Sequence, residues 1–172
     1  MRENFTIQET KDNKIWDEFV LKSYNKNYYS LSDVLELEKN NKKYFVHKKN
    51  EIIASFNLVV ENNNIVLPKY SIYTPINYKN FPGSKQSSLN SMKFKINSEI
   101  NDFLIKNFKN IHISFDACTN DIRPFTWLGY PDFSKGYKIQ VKYTYFSNIK
   151  NLDEKNYGNS EIYTNSSETN RR

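Results

Sequence analysis

The stretch Asp121-Ile-Arg-Pro-Phe-Thr-Trp-Leu-Gly-Tyr-Pro131 decides how this 172-residue chain is read. Pro124 suits the first turn of a helix, where its fixed φ is already helical and its missing N–H is not needed. Gly129 suits the position just past a helix end, where the backbone turns left-handed. The sequence therefore predicts a short helix closed at both ends. Two strand-like runs flank it, Ile111-His-Ile-Ser-Phe-Asp116 before and Tyr137-Lys-Ile-Gln-Val-Lys-Tyr-Thr-Tyr145 after. A rigid corner that is both aromatic and charged, at the end of a strand, is a place to build a site.

Upstream, residues 5–8 read as a short strand. Ile15, Trp16, Phe19, Val20 and Tyr24 then recur at helical spacing over Lys14 to Ser23, one apolar stripe facing a sheet. Ser30-Leu-Ser-Asp33 matches a helix start signal, which predicts a second helix to about Lys39 that buries Leu31, Val34, Leu35 and Leu37. Tyr44–His47 and Ile52–Val60, joined by Lys48-Lys-Asn-Glu51, read as a hairpin, and Ile65–Leu67 follows the asparagines at 62–64 to complete a meander. The Tyr- and Pro-rich stretch from Tyr70 to Gly83 reads as a strand turning into an ordered loop. The longest helix runs from about Ser87 to Phe108, with Met92, Ile96, Ile100, Phe103, Leu104 and Phe108 on its core face. This order predicts an α/β (α+β) fold: a mixed, largely antiparallel sheet of about six or seven strands with helices on both faces.

Composition narrows the functional classes. No composition break precedes residue 148, so residues 1–147 are expected to form a single lobe. Thirteen Tyr, 12 Phe and two Trp supply enough bulky area for a core despite a mean hydropathy of −0.78. The net charge is +6, from 25 basic and 19 acidic residues, but the lysines are dispersed and read as a solvated surface rather than a nucleic-acid stripe. A single cysteine, Cys118, excludes an internal disulfide, and two separated histidines, His47 and His112, give no zinc pattern. There is neither a membrane-length apolar run nor a signal-peptide core, so a cytoplasmic location is expected.

The string DIRPFTWLGY with the later Lys142-Tyr-Thr-Tyr145 resembles a segment of the bacterial Fem-like acyltransferases, two-lobed relatives of the GNAT fold. That family includes aminoacyl-transferring enzymes of peptidoglycan cross-bridge synthesis and acyltransferase-like proteins of surface-polysaccharide loci. The resemblance implies a GNAT-like fold and the N-terminal, acceptor-side lobe of an N-acyltransferase. The whole enzyme would move an acyl or aminoacyl group from acyl-CoA or aminoacyl-tRNA to an amine on a phosphate-bearing acceptor, a nucleotide sugar or peptidoglycan precursor, by direct attack on a thioester or ester carbonyl. It also implies that the polar tail, 148–172, starts a second GNAT-like lobe, and that the partners include a charged tRNA and that lobe. GNAT enzymes cradle the CoA pyrophosphate on a Gln/Arg-x-x-Gly-x-Gly/Ala turn opening a helix. No such turn occurs here, since none of Gly83, Gly129, Gly136 or Gly158 has a glycine two or three residues away. This lobe is therefore expected to bind no cofactor. Two rivals stand beside this reading: a catalytically inactive GNAT-like binding or scaffold domain, and a tRNA- or RNA-binding module.

The substrate-binding candidates are Tyr73, Asp121, Arg123, Trp127, Tyr130 and Arg171; no catalytic residue is nominated. Arg123 could offer its planar fork to a phosphate or carboxylate, with Asp121 orienting it. Alternatively, Asp121 caps the short helix and Arg123 pairs with a carboxylate such as Asp116, the reading that takes slight precedence. Trp127 and Tyr130 could wall a sugar or base, although a plug between helix and sheet is the favoured role for Trp127. Cys118 reads as a small buried side chain, and His47 and His112 as strand-face residues. By the resemblance, Tyr73 lies where relatives show a turn ending in Tyr-x-Gly, with Pro75 here in place of the glycine, and Arg171 matches a helix arginine near the acceptor's diphosphate.

Overall fold

The hairpin at the centre of the chain carries the sheet. In the computed structural model, which describes residues 5–71, 73–116, 119, 121–132 and 136–141, β2 (Asn41–Lys48) and β3 (Glu51–Glu61) pair antiparallel around a turn in which Lys49 takes φ 57°. β1 (Phe5–Thr10) adds to the free edge of β2, with Phe5 opposite Lys48. β3 turns into β4 (Asn64–Val66) through Asn62 and Asn63, both at positive φ (49° and 65°), the conformation of a two-residue hairpin turn that asparagine tolerates. The expected meander is thus present, and its asparagines are turn chemistry.

β5 (Ile76–Tyr78) was not anticipated as a separate strand. It pairs antiparallel with the same edge of β3 as β4, Phe56 facing Ile76 where Val59 faces Val66. Residues 67–75 leave the sheet between these two pairings, and Pro68 and Pro75 near the ends of that excursion cannot donate to a ladder. Among the described residues the sheet has five strands rather than six or seven. Ile111–Asp116 forms no strand: among the described residues it makes one bridge, parallel, between Ile111 and Ile65, with Thr74 N donating to Ser114 O at 2.6 Å further along. Its neighbour is the interrupted edge, so a continuous ladder cannot form. Residues 137–141 lie outside any strand, and 142–145 lie outside the described residues.

Helices cover both faces. α1 (Asn13–Lys22) is capped by Asp12, whose Oδ1 accepts from Ile15 N at 3.0 Å. Trp16 and Val20 are buried against Phe45 of β2 and Leu35, while Ile15 and Tyr24, placed on the same stripe by sequence, are exposed. The Trp16 indole donates to Ser30 O at 2.6 Å. The second helix is a correction: a 3₁₀ turn at Tyr28–Ser30 leads into α2, only Ser32–Leu35, and Leu37 is exposed. The start signal is satisfied from elsewhere, because Asp17 of α1 accepts from both Ser32 N and Ser32 Oγ. The helix stops early because Glu38 turns inward, its carboxylate accepting from Tyr70 N at 2.6 Å, and Asn40 then takes φ 63°.

On the opposite face α3 (Gln86–Asn107) lays Ile96, Ile100 and Leu104 over Tyr44, Val46, Phe56 and Leu58, with Met92, Phe103 and Phe108 at the margin as the sequence predicts. Tyr44 stacks on Phe56 at 5.1 Å and meets Phe103 edge-on at 5.2 Å. Burial and nearby Glu9 push the Tyr44 phenol up to about 12. The chain up to Gln140 is one unit; a second unit, Val141–Arg172, has only Val141 described. No described helix is long and apolar enough to cross a membrane.

Ile100→Ala should cost about 2–5 kcal/mol in urea unfolding, against less than about 0.5 kcal/mol for exposed Ile105→Ala on the same helix. Equal losses at the two positions would contradict the assignment of α3's buried face.

Candidate functional site

The corner folds as its sequence dictates. α4 (Arg123–Thr126) is a single turn with Pro124 in its first positions, Trp127 closes it by donating N–H to Arg123 O at 2.9 Å, and Gly129 follows at φ 80°. α3 then fixes the corner in space. Asn97 and Asn101, one helical turn apart and both buried, donate their side-chain amides to Asp121 O at 2.9 Å and to Pro124 O at 3.0 Å. Each asparagine's oxygen is occupied in turn, by the Tyr78 hydroxyl at 2.7 Å and the Tyr137 hydroxyl at 2.8 Å. Burial drives both phenols upward, Tyr137 to about 12, so both remain protonated donors at neutral pH. α3 thus holds the corner by its main chain, through side chains on the edge of its apolar stripe.

With its backbone fixed, the corner shows solvent a ledge of charged and aromatic groups. Asp121 Oδ1 accepts from Arg123 Nε at 2.8 Å and its Oδ2 from Nη2 at 2.7 Å, a bidentate pair. The hydrogen bond from Arg123 holds the Asp121 carboxyl below its usual 3.8, against a smaller opposing effect of burial. The same bond raises the guanidinium above its ordinary value. The guanidinium lies 5.0 Å from the Phe94 ring and 5.6 Å from the Trp127 ring, and Phe94 meets Trp127 at 6.2 Å. Half of the Arg123 side chain is exposed (52%), as are Trp127 (56%) and Tyr130 (73%). Chemically this is a planar cation, partly neutralised, beside an open aromatic face: it can stack on a ring and direct Nη1 at an anion.

Of the sequence candidates, the structure brings Asp121, Arg123 and Trp127 together, with Tyr130 following on the same corner. Of the two readings of the Asp–Arg pair, the one with Asp121 orienting Arg123 agrees with the observed pairing, and the one with a capping Asp121 and an Asp116 partner is revised. Arg123 pairs with Asp121 rather than Asp116, and Ile122, not Asp121, occupies the cap position, although Asp121 Oδ1 does accept from Arg123 N at 3.2 Å. Trp127 is no plug: Phe125 fills that place, buried against Phe115 at 4.7 Å. Tyr73 sits apart, half-buried in the excursion before β5, its carbonyl accepting from Ser71 Oγ at 2.9 Å. Arg171 and Cys118 lie outside the described residues. His47 is half-buried beside Phe45 and His112 is exposed, and the described residues contain no cluster of three or more potential metal ligands. Asn97, Asn101 and Phe94 were missed. The signal for the asparagines was present, since 97 and 101 lie beside 96, 100 and 104 on a helical projection.

Neither a family model nor a curated protein matches the chain. Among solved structures it is similar to a possible acetyltransferase from Clostridium difficile 630, at 13% identity and a TM-score of 0.40 over 83% of this chain and 97% of that one. It is also similar to an aminoglycoside acetyltransferase from an uncultured soil metagenomic sample, solved with sisomicin (15%, TM-score 0.39, 83% and 95%). A third similar structure is a transcriptional regulator from Bacillus halodurans C-125 (13%, TM-score 0.38, 80% and 100%). Likeness at this level carries no functional weight, and the site is argued from its own residues.

The ion pair has a pH signature. A folded-state pKa below 3.8 means that the pair stabilises the fold above that value and ceases to do so as pH falls through the lower, folded one. The stability gap between wild type and Asp121→Asn should therefore be widest near neutrality and shrink as the pH falls below about 4. A gap in melting temperature that stays constant down to about pH 2 would contradict the pairing.

Proposed function

We propose that this chain is the acceptor-side lobe of a Fem-like N-acyltransferase with a GNAT-type architecture, and that the Arg123–Trp127 ledge is where a phosphate-bearing acceptor rests. The transferred group would go to an amine of a cell-wall or surface-polysaccharide precursor. The observation that carries the reading is the ledge itself. A motif that resembles this family folds into a corner whose backbone is held by α3 while its guanidinium and indole are left open to solvent.

Two features support the division of labour. α3 opens at Gln86 after a lone left-handed glycine, Gly83 (φ 76°), and Lys85 at its cap position does not cap the helix through its side chain. A single glycine gives less close backbone approach than the paired small residues of a pyrophosphate cradle, in keeping with a lobe that leaves the activated donor to others. The ledge combines the two elements a nucleotide sugar presents: an aromatic surface for a ring and an arginine edge for a phosphate.

The chain has two tryptophans, and Trp16 is fully buried, so changes in indole fluorescence on ligand addition report on Trp127. UDP-N-acetylglucosamine is expected to quench this emission in a saturable manner, with about tenfold weaker binding in Arg123→Ala, the loss expected for one charge-assisted contact. No quenching in the wild type, or thermal stabilisation by acetyl-CoA without any by the nucleotide sugar, would overturn the assignment.

A further inference from the structure

The cation of the ledge carries its own anion. The two oxygens of Asp121 take Nε–H and an Nη2–H of Arg123, the side edge of the guanidinium that phosphates and carboxylates grip at two points. The hydrogen bonds that Arg123 donates among the described residues come from N, Nε and Nη2, and Nη1 is left without one. Asp121 is no loose surface carboxylate. Its side chain is 14% exposed, against 52% for Arg123, and its main-chain carbonyl is fixed by Asn97. A carboxylate anchored at the backbone and bonded at both oxygens stays in place when a second anion arrives, so the newcomer has to compete with it.

Asp121 and Arg123 together carry no net charge. A small anion at Nη1 therefore gains one attraction and meets one repulsion from only slightly farther away, and in the high dielectric of a surface little net attraction remains. The rings are not neutralised in this way. Trp127 is exposed, with its ring 5.6 Å from the guanidinium, so a planar ring joined to the anion can lie on the indole while the anion meets Nη1. A phosphate without a ring lacks that second contact.

We propose that Asp121 is a specificity-determining residue: by occupying the Nε/Nη2 edge of Arg123 it makes the ledge select phosphates joined to a planar ring, the nucleoside diphosphate class, over free phosphate, pyrophosphate and small carboxylates. The inference rests on the acceptor reading above and narrows the ligand of that same ledge. Discrimination of this kind comes from a repulsive element set against the wrong ligand as much as from attraction to the right one. It also separates Asp121 from a residue that only orients Arg123. An orienting carboxylate helps every anion, so its loss weakens them all. A filtering carboxylate opposes them, and its loss helps the free anion most, because that anion can move onto the vacated edge while one tethered to a stacked ring stays at Nη1.

Isothermal titration calorimetry of the full chain with UDP and with inorganic pyrophosphate compares a diphosphate that carries a ring with one that does not. The wild type is expected to bind UDP about tenfold more tightly than pyrophosphate, the worth of one base stacked on an aromatic side chain. In Asp121→Ala, which opens the Nε/Nη2 edge, pyrophosphate should tighten about tenfold while UDP changes by less than about threefold. Asp121→Asn removes the charge but keeps an acceptor for Nε, and should tighten pyrophosphate about threefold; if the alanine variant fails to fold, this one decides. Weaker binding of both ligands in a folded variant, as an orienting role alone requires, or an unchanged preference for UDP, would overturn the filter and leave the acceptor reading standing. A wild type that does not bind UDP would overturn the acceptor reading and the filter with it.

Discussion

Two asparagine amides on one helix edge hold the corner to the body of this protein. Asn97 and Asn101 reach across to the main-chain carbonyls of Asp121 and Pro124, and each is itself held by a tyrosine hydroxyl, from buried Tyr78 and half-buried Tyr137. Every group in the chain Tyr78–Asn97–Asp121 and in the chain Tyr137–Asn101–Pro124 has its partner. Removing one would leave a buried polar atom unsatisfied at a cost of about 1–3 kcal/mol. Because the grip is on the backbone, side chains at the corner are not used up in holding it. Phe125 goes into the core with Ile122 packed at its edge, and Arg123, Trp127 and Tyr130 remain outside.

The ledge inherits its geometry from that grip. Arg123 is confined from three sides: Asp121 takes one edge of the guanidinium, and Phe94 and Trp127 lie against it. Phe94 belongs to α3, so the helix that fixes the corner's carbonyls also supplies one of the rings beside its cation. A fork held in this way loses less side-chain entropy on meeting an anion than a free surface arginine would. The intramolecular carboxylate lowers its net charge, which favours selection by shape and stacking over simple attraction of anions.

Wherever a local rule governed, the sequence was a sound guide. Pro124 and Gly129 bounded α4, the asparagines at 62–64 marked a turn, and the apolar spacing of α3 gave its core face. It failed where tertiary contacts override local signals. Ser32 gets its cap from Asp17, fifteen residues earlier, and Glu38 turns inward to hold Tyr70, so α2 ends after Leu35 instead of running on to Lys39. Read from sequence, the plug's place went to Trp127, yet it is Phe125 that is buried, against Phe115, while Trp127 is exposed. Asn97 and Asn101 passed for ordinary polar residues because their role depends on a segment more than twenty positions downstream.

The central claim is that α3 holds the corner through Asn97 and Asn101, and native-state hydrogen exchange on the Asn97→Leu/Asn101→Leu double variant tests it most directly. The account predicts that amides of residues 123–130 lose protection and approach free exchange, while those of β2, β3 and the middle of α3 keep theirs. Unchanged protection at the corner, or an equal loss across sheet and helix alike, would contradict it.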